Sequence, residues 1–256
     1  MMGENYDMQM AKNVQEGLIT KNFPEIPGYL IYGFSIPAGD LGGDCLTSFT
    51  MPDGKLLFLV GDLTGHGIGS ALMMSFVRSV TFNWSQNPKE NPSSLADSID
   101  QMLRDNKMSH MFMGIICGIL DPINGKINFV TRGHIYPLFL RNDNTMEWLG
   151  KPALPLGIGK KHLSEEQTTT LLPGERILCI SDGVIEIHKN NGMTIDYQQI
   201  EKWAQDLIPG ENSEWLKRIE NKYREWCKMH NAEQTDDITF FSIINENHVG
   251  GNINDR

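Results

Sequence analysis

Positive charge is scarce in this chain, and so are cysteine and long apolar runs. Against 32 acidic residues stand 22 lysines and arginines, a formal net charge of −10. That balance removes the basic footprint of a nucleic-acid or anionic-membrane binder. No arginine at all precedes Arg78. The four cysteines, Cys45, Cys117, Cys179 and Cys227, lie far apart, with no C-x-x-C pair and no histidine spaced to complete a zinc site. They read as reduced thiols in a cytoplasmic setting. No stretch approaches the roughly 18 apolar residues of a membrane span, and the polar start from Met1 to Val14 lacks the apolar core of a targeting segment. Two glycine–lysine pairs fail as phosphate loops. Gly54-Lys55 and Gly125-Lys126 are followed by Leu56 and Ile127, and Phe49 and Leu120 occupy the place of the first loop glycine.

What is present is a chain of 256 residues, 40% hydrophobic, with 25 glycines and 12 prolines, enough for one large core or two modest ones. Met8, Ala11, Val14, Leu18 and Ile19 share one face at helical spacing, so a leader helix is expected over Met8 to Ile19, ending near Lys21 and Pro24. From Tyr29 onward short β-rich segments alternate with turns. Ser48–Thr50 and Leu56–Val60 flank Pro52-Asp53-Gly54, and Met111–Leu120 and Lys126–Thr131 flank Asp121 to Gly125, both hairpin signatures. Tyr136–Leu140 and Met146–Leu149 enclose Asn142-Asp143-Asn144, Gln167–Leu171 and Arg176–Ile180 enclose Leu172 to Glu175, and Ile238–Ile244 is a last strand. Helices are expected over Ile68–Phe82, Pro92–Arg104, Tyr197–Leu207 and Glu214–His230. The pattern predicts an α+β fold, two packed and mainly antiparallel sheets flanked by helices, an α-β-β-α sandwich. The expected division is a leader at 1–24, a catalytic domain at 25–245 and a flexible tail at 246–256.

Aspartates punctuate the strand ends. Asp40 and Asp44 lie in the Ala38–Asp44 segment, Asp62 ends Leu56–Gly61, Asp182 ends Ile177–Ser181, and Asp236 and Asp237 open Ile238–Ile244. One such residue is ordinarily a turn former or a cap. If the strands pair, however, several carboxylates meet at one sheet edge, where repulsion raises their pKa values or requires a cation. Carboxylates, a main-chain carbonyl and water suit Mg²⁺ or Mn²⁺ better than zinc. In Gly61-Asp62-Leu63-Thr64-Gly65-His66-Gly67 a strand end, a carboxylate, a glycine turn and a helix start follow in one segment. The glycines permit close backbone approach, and the helix start offers free N–H groups to an anion.

Together GGD at Gly42–Asp44, GDLTGHG at Gly61–Gly67, Leu120–Arg141, LPLGI at Leu154–Ile158, Leu172–Glu186 and TDDIT at Thr235–Thr239 resemble the metal-dependent type 2C protein phosphatases. The branch they are similar to is the bacterial one of the stage II sporulation phosphatase and the stress-response phosphatases of partner switching. The resemblance spans about Met8 to Ile244. It implies two antiparallel sheets and a two-metal centre holding Mn²⁺ or Mg²⁺. By the same resemblance Asp62 would bridge both ions, joined by the Leu63 carbonyl, with Asp182 and Asp236 on one ion, Asp44 reaching the other through water, and Asp237 as a further ligand. It also implies an attacking water on phosphoserine or phosphothreonine of a signalling protein such as an anti-anti-sigma-like domain. His66 is the candidate general acid by location, although its spacing after Asp62 differs from that of the catalytic histidine in eukaryotic relatives.

Two features depart from the pattern. Cys45-Leu46-Thr47 follows GGD where relatives carry an aromatic residue and a further Asp, and the arginine-poor first third offers no side-chain clamp for phosphate. The leader helix matches the one that precedes this catalytic domain, and its apolar stripe either packs on its own domain or pairs with a second copy. Competing readings are a phosphatase-like module that binds and sequesters a phosphoprotein without turnover, and a two-metal hydrolase of small phosphate esters, which needs a walled pocket.

Overall fold

The computed structural model describes residues 2–20, 22–65, 67–87, 91–105, 111–158, 164–187 and 194–247. Helix α1 (Met2–Leu18) precedes strands β1 (Tyr29–Ile36), β2 (Asp44–Thr50) and β3 (Leu56–Leu63), followed by helices α2 (Ile68–Gln86) and α3 (Pro92–Asp105). Strands β4 (Met113–Asp121), β5 (Lys126–Arg132), β6 (Leu138–Leu140), β7 (Met146–Trp148), β8 (Gln167–Thr170) and β9 (Arg176–Ile180) come next. Helices α4 (Tyr197–Asp206) and α5 (Trp215–His230) lead to the final strand β10 (Ile238–Asn245). All pairings are antiparallel, in two five-stranded sheets ordered β1-β10-β9-β6-β7 and β2-β3-β4-β5-β8.

The period of two along each strand sorts its side chains between layers. Leu56, Phe58 and Val60 of β3 join Ile116 of β4 and Phe241 and Ile243 of β10 in the core between the sheets. Their neighbours Leu57, Leu59 and Leu63 turn outward under Val77 of α2 and Leu95 and Ile99 of α3. On the other sheet Leu178, Ile180 and Phe240 lie under Trp203 of α4 and Trp215 and Ile219 of α5. Both faces of the central strands are therefore covered, which is why they read as continuous apolar runs rather than alternating ones. Phe58 is fully buried and stacks on Phe241 with ring centroids 5.5 Å apart, pinning one sheet to the other.

The expected α-β-β-α sandwich is what forms, with differences at the element ends. Helix α1 starts at Met2 rather than Met8, and α2 runs on to Gln86. The Asn91–Pro92 start of α3 is as expected, the Asn91 Oδ1 accepting from the Ser94 N–H at 3.2 Å. Strand β2 begins at Asp44 rather than Ser48, because Asp44 to Thr47 pair in register with Leu59 to Asp62 of β3. Pro173-Gly174 does not close a hairpin: β8 pairs with β5 in one sheet and β9 with β10 and β6 in the other, so this turn carries the chain between sheets. Asn245, one residue beyond the expected strand Ile238–Ile244, closes β10, its Nδ2 donating to the Leu171 carbonyl at 2.7 Å. The tail beyond Asn247 lies outside the described residues.

Candidate metal centre

Each sheet delivers acidic residues to the same end of the sandwich. In one, Asp44 opens β2 and pairs in register with Asp62 of β3. Asp62 keeps the parity of Leu56, Phe58 and Val60, so it continues the face that looks toward the other sheet. There, β9 ends in a single 3₁₀ turn, Asp182–Val184, and Asp236 and Asp237 lead into β10, the strand paired with β9. After β3 the chain turns through Gly65 and Gly67, at φ of 88° and 93°, a left-handed region that glycine enters at least cost. Gly67 then starts α2 without a side-chain cap.

Electrostatics record the convergence. Burial, and then the charges of Asp182, Asp236, Asp237 and Glu186, push Asp62 up to about 7. Burial also raises Asp182, with Asp236 adding to it and His134 opposing. Asp44 is held well above the usual carboxylate range, first by burial and then by Asp62, against hydrogen bonds from Thr239 and Ser181. The Thr239 hydroxyl donates to Asp44 Oδ2 at 2.5 Å. Repelling carboxylates of this kind are hard oxygen donors whose charge calls for a divalent cation, so the donor set fits Mg²⁺ or Mn²⁺. Among the described residues no three acidic, histidine or cysteine side chains are already gathered at ligation distance. The two observations concern different ranges: charges act over ~4–6 Å and beyond, whereas ligation needs oxygens about 2 Å from the ion.

Asp237 is engaged otherwise. Its carboxylate is buried and accepts from the backbone N–H groups of Ala38 at 2.7 Å, of Gly43, and of Asp44 at 3.3 Å, tying the loop before β2 to the start of β10. Gln15 of α1 grips the same loop from the other side: its Nε2 donates to the Gly42 carbonyl at 2.6 Å and its Oε1 accepts from the Gly42 N–H at 3.0 Å. Lys12 adds an ion pair to Asp40 at 2.5 Å. The Leu63 carbonyl packs so close to Gly43 that a Cβ there would stand 2.6 Å from its oxygen.

Of the residues picked out from the sequence, Asp44, Asp62, Asp182, Asp236 and Asp237 therefore meet at one end of the fold. His66 lies outside the described residues. Three nearby groups were not singled out from the sequence: Glu186, the Tyr197 phenol, raised by burial and by Asp182 and Glu186, and His134. His134 and Glu186 each left a trace, inside segments that carried the family resemblance, whereas Tyr197 left none. Cys45, Cys117 and Cys179 are free and buried, and burial pushes the Cys45 thiol up to about 12, so these thiols are packing groups rather than ligands. Two cavities, of about 540 and 670 Å³, are lined by Lys12, Tyr32, Ser35 and Asp40 and by Arg132, Lys151, Pro152 and Glu165 respectively, and not by Asp44, Asp62, Asp182, Asp236 or Asp237.

Two antiparallel sheets clothed in helices, with aspartates from both sheets at one end, define the class of the metal-dependent type 2C phosphatases. The chain matches the model of the Stage II sporulation protein E (SpoIIE) family over residues 52–244 and belongs to that family. It is 24% identical over 238 residues to phosphoserine phosphatase RsbU of Bacillus subtilis (strain 168), a match covering 93% of this chain and 69% of RsbU. It spans less than half the length of two further curated relatives. Its fold is similar to that of the SiaA-PP2C domain of Pseudomonas aeruginosa, with a TM-score of 0.79 at 17% identity over 95% of this chain and 96% of that one. The catalytic domain of the serine/threonine protein phosphatase PstP, solved with two manganese ions, shares the fold at a TM-score of 0.63 and 12% identity over 84% of this chain and 97% of that one.

Proposed function

We propose that this chain is a metal-dependent protein phosphatase domain that removes phosphate from phosphoserine or phosphothreonine of a signalling protein, such as an anti-anti-sigma-like domain. The observation that carries the reading is the meeting of buried Asp62 with Asp182 and Asp236: burial first, and then those charges, push Asp62 up to about 7, a destabilised carboxylate that a cation would relieve. Asp62, Asp182 and Asp236 would hold two ions of Mn²⁺ or Mg²⁺, with the Leu63 carbonyl beside Asp62 and Asp44 behind them. When bound, such ions neutralise phosphoryl oxygens and acidify a water. Asp237 and Gln15 keep the Asp44 loop in place, and His66 is the proposed donor of the proton to the leaving alkoxide.

The test is hydrolysis of an aryl phosphate with Mn²⁺, Mg²⁺ or chelator, comparing the parent with Asp62→Asn and Asp182→Asn. Activity is expected with metal in the parent alone. Hydrolysis that survives chelation or both substitutions refutes the reading, and phosphoprotein binding without turnover favours a sequestering module.

The finer partner reading is a homodimer through the leader helix. Met10 and Val14 of α1 and Ile68, Leu72 and Phe76 of α2 are exposed, and the two helices adjoin along a cleft lined by Val14, Ile68 and Leu72. A contiguous apolar face of this kind favours a second copy of the chain. Sedimentation velocity is expected to show a dimer that the Val14→Glu, Phe76→Glu double variant dissociates; a parent monomeric at tens of micromolar argues against it. No helix among the described residues is long and apolar enough to cross a membrane.

A further inference from the structure

His134 sits on the turn that leaves β5. The Gly133 N–H donates to the Ala153 carbonyl at 3.0 Å, and Gly133 adopts φ of 57°. This turn packs directly on Gly114 of β4, the residue paired with Asp62. A Cβ at Gly114 would stand 2.5 Å from the Gly133 oxygen and 3.5 Å from the His134 Cα, so the glycine lets the histidine backbone lie against the strand that carries Asp62's partner. Asp182 is also near enough for its charge to act on the imidazole. His134 thus lies against the strand partner of one expected metal ligand and within reach of the charge of another.

The ring's hydrogen bonding is one-sided. Nδ1 lies 2.9 Å from the Ile135 carbonyl oxygen, which can only accept, so Nδ1 carries the proton and the neutral ring presents a bare lone pair at Nε2. The ring as a whole is half-buried, but Nε2 is closed off from solvent and has no partner among the described residues. An unpaired acceptor in such a place is destabilising unless a water or ligand supplies a donor. Burial holds the ring below its ordinary pKa, keeping that lone pair available, although Asp182 opposes the shift.

We infer that His134 is a positioning residue of the metal centre, its Nε2 accepting a hydrogen bond from a water on the ion beside Asp182. The inference rests on the metal-centre reading above. Outer partners of this kind fix the water's orientation and contribute to metal affinity without touching the ion.

The test is Mn²⁺ binding to the whole chain by isothermal titration calorimetry. In His134→Asn the side-chain amide keeps the donor to the Ile135 carbonyl and deletes the acceptor at the Nε2 position; His134→Gln places an oxygen near that position. The expected result is a dissociation constant raised roughly 10- to 100-fold in His134→Asn, largely recovered in His134→Gln, with chelated melting temperatures of both within about 2 °C of the parent. Parent-like Mn²⁺ binding by His134→Asn would overturn the inference and make the Ile135 bond the role of this residue. Equal weakening in both variants would overturn it too, since the acceptor would then be irrelevant. A parent that binds no Mn²⁺ sinks the metal-centre reading itself, and this inference with it, which separates the two failures.

Discussion

Asp62→Asn should make the metal-free protein more stable while abolishing its activity. From an ordinary value near 4, Asp62 is displaced to about 7, so the folded state binds its proton more tightly than the unfolded chain. Stability contributed by the protonated group is then fully present below about pH 4 and is lost as pH rises through about 7. Three pH units at ~1.4 kcal/mol each give an upper bound of roughly 4 kcal/mol for the destabilisation above that range. Neighbouring carboxylates take up part of the protonation, so we expect a gain of about 2–4 kcal/mol for the neutral amide at pH 8. In a chain of this size that corresponds to roughly 5–10 °C in melting temperature. The gap should narrow to about 1–2 kcal/mol at pH 5 and close near pH 3.5. The assay is thermal unfolding by circular dichroism in chelator at these pH values. Mn²⁺ at about a thousand times its dissociation constant should cancel or reverse the gap, raising the parent by about 4.1 kcal/mol and leaving the variant unmoved. A variant less stable than the parent at pH 8 in chelator, or a gap indifferent to pH, would show that Asp62 is not held among like charges.

Two other perturbations probe the scaffold. Asp237→Asn replaces one of the two oxygens that accept from the loop amides with an N–H₂ donor and removes the charge that strengthens the rest, so urea unfolding should report a loss of about 1–3 kcal/mol, and Mn²⁺ affinity should fall as the Asp44 loop loosens; an unchanged midpoint contradicts the clamp. Phe58→Ala empties the centre of the inter-sheet core and removes the stack on Phe241, which should lower stability by ~3–5 kcal/mol; a loss below about 1 kcal/mol would mean the sheets do not pack through this ring.

Much was legible in residue order alone, because periodicity and turn chemistry are local. Leu56 to Val60 had to be a strand, Pro52-Asp53-Gly54 a turn and Ile68 onward a helix, and aspartates at strand ends pointed to a cation before any pairing was known. What order alone did not decide was how those strands share out between sheets. Gln167–Thr170 and Arg176–Ile180 read as neighbours across a turn, yet they lie in different sheets, since a four-residue connection serves a hairpin and a crossing between layers equally well. The same limit applies to individual side chains. Asp236 and Asp237 are adjacent and alike in type, and only the fold brings both charges to bear on Asp62 while committing Asp237 alone to the amides of Gly43 and Asp44. His134 carries no local mark that separates it from any other histidine after a glycine. Its significance comes from Gly114 beneath it and Asp182 beside it, residues brought close by burial and pairing that act across long stretches of chain.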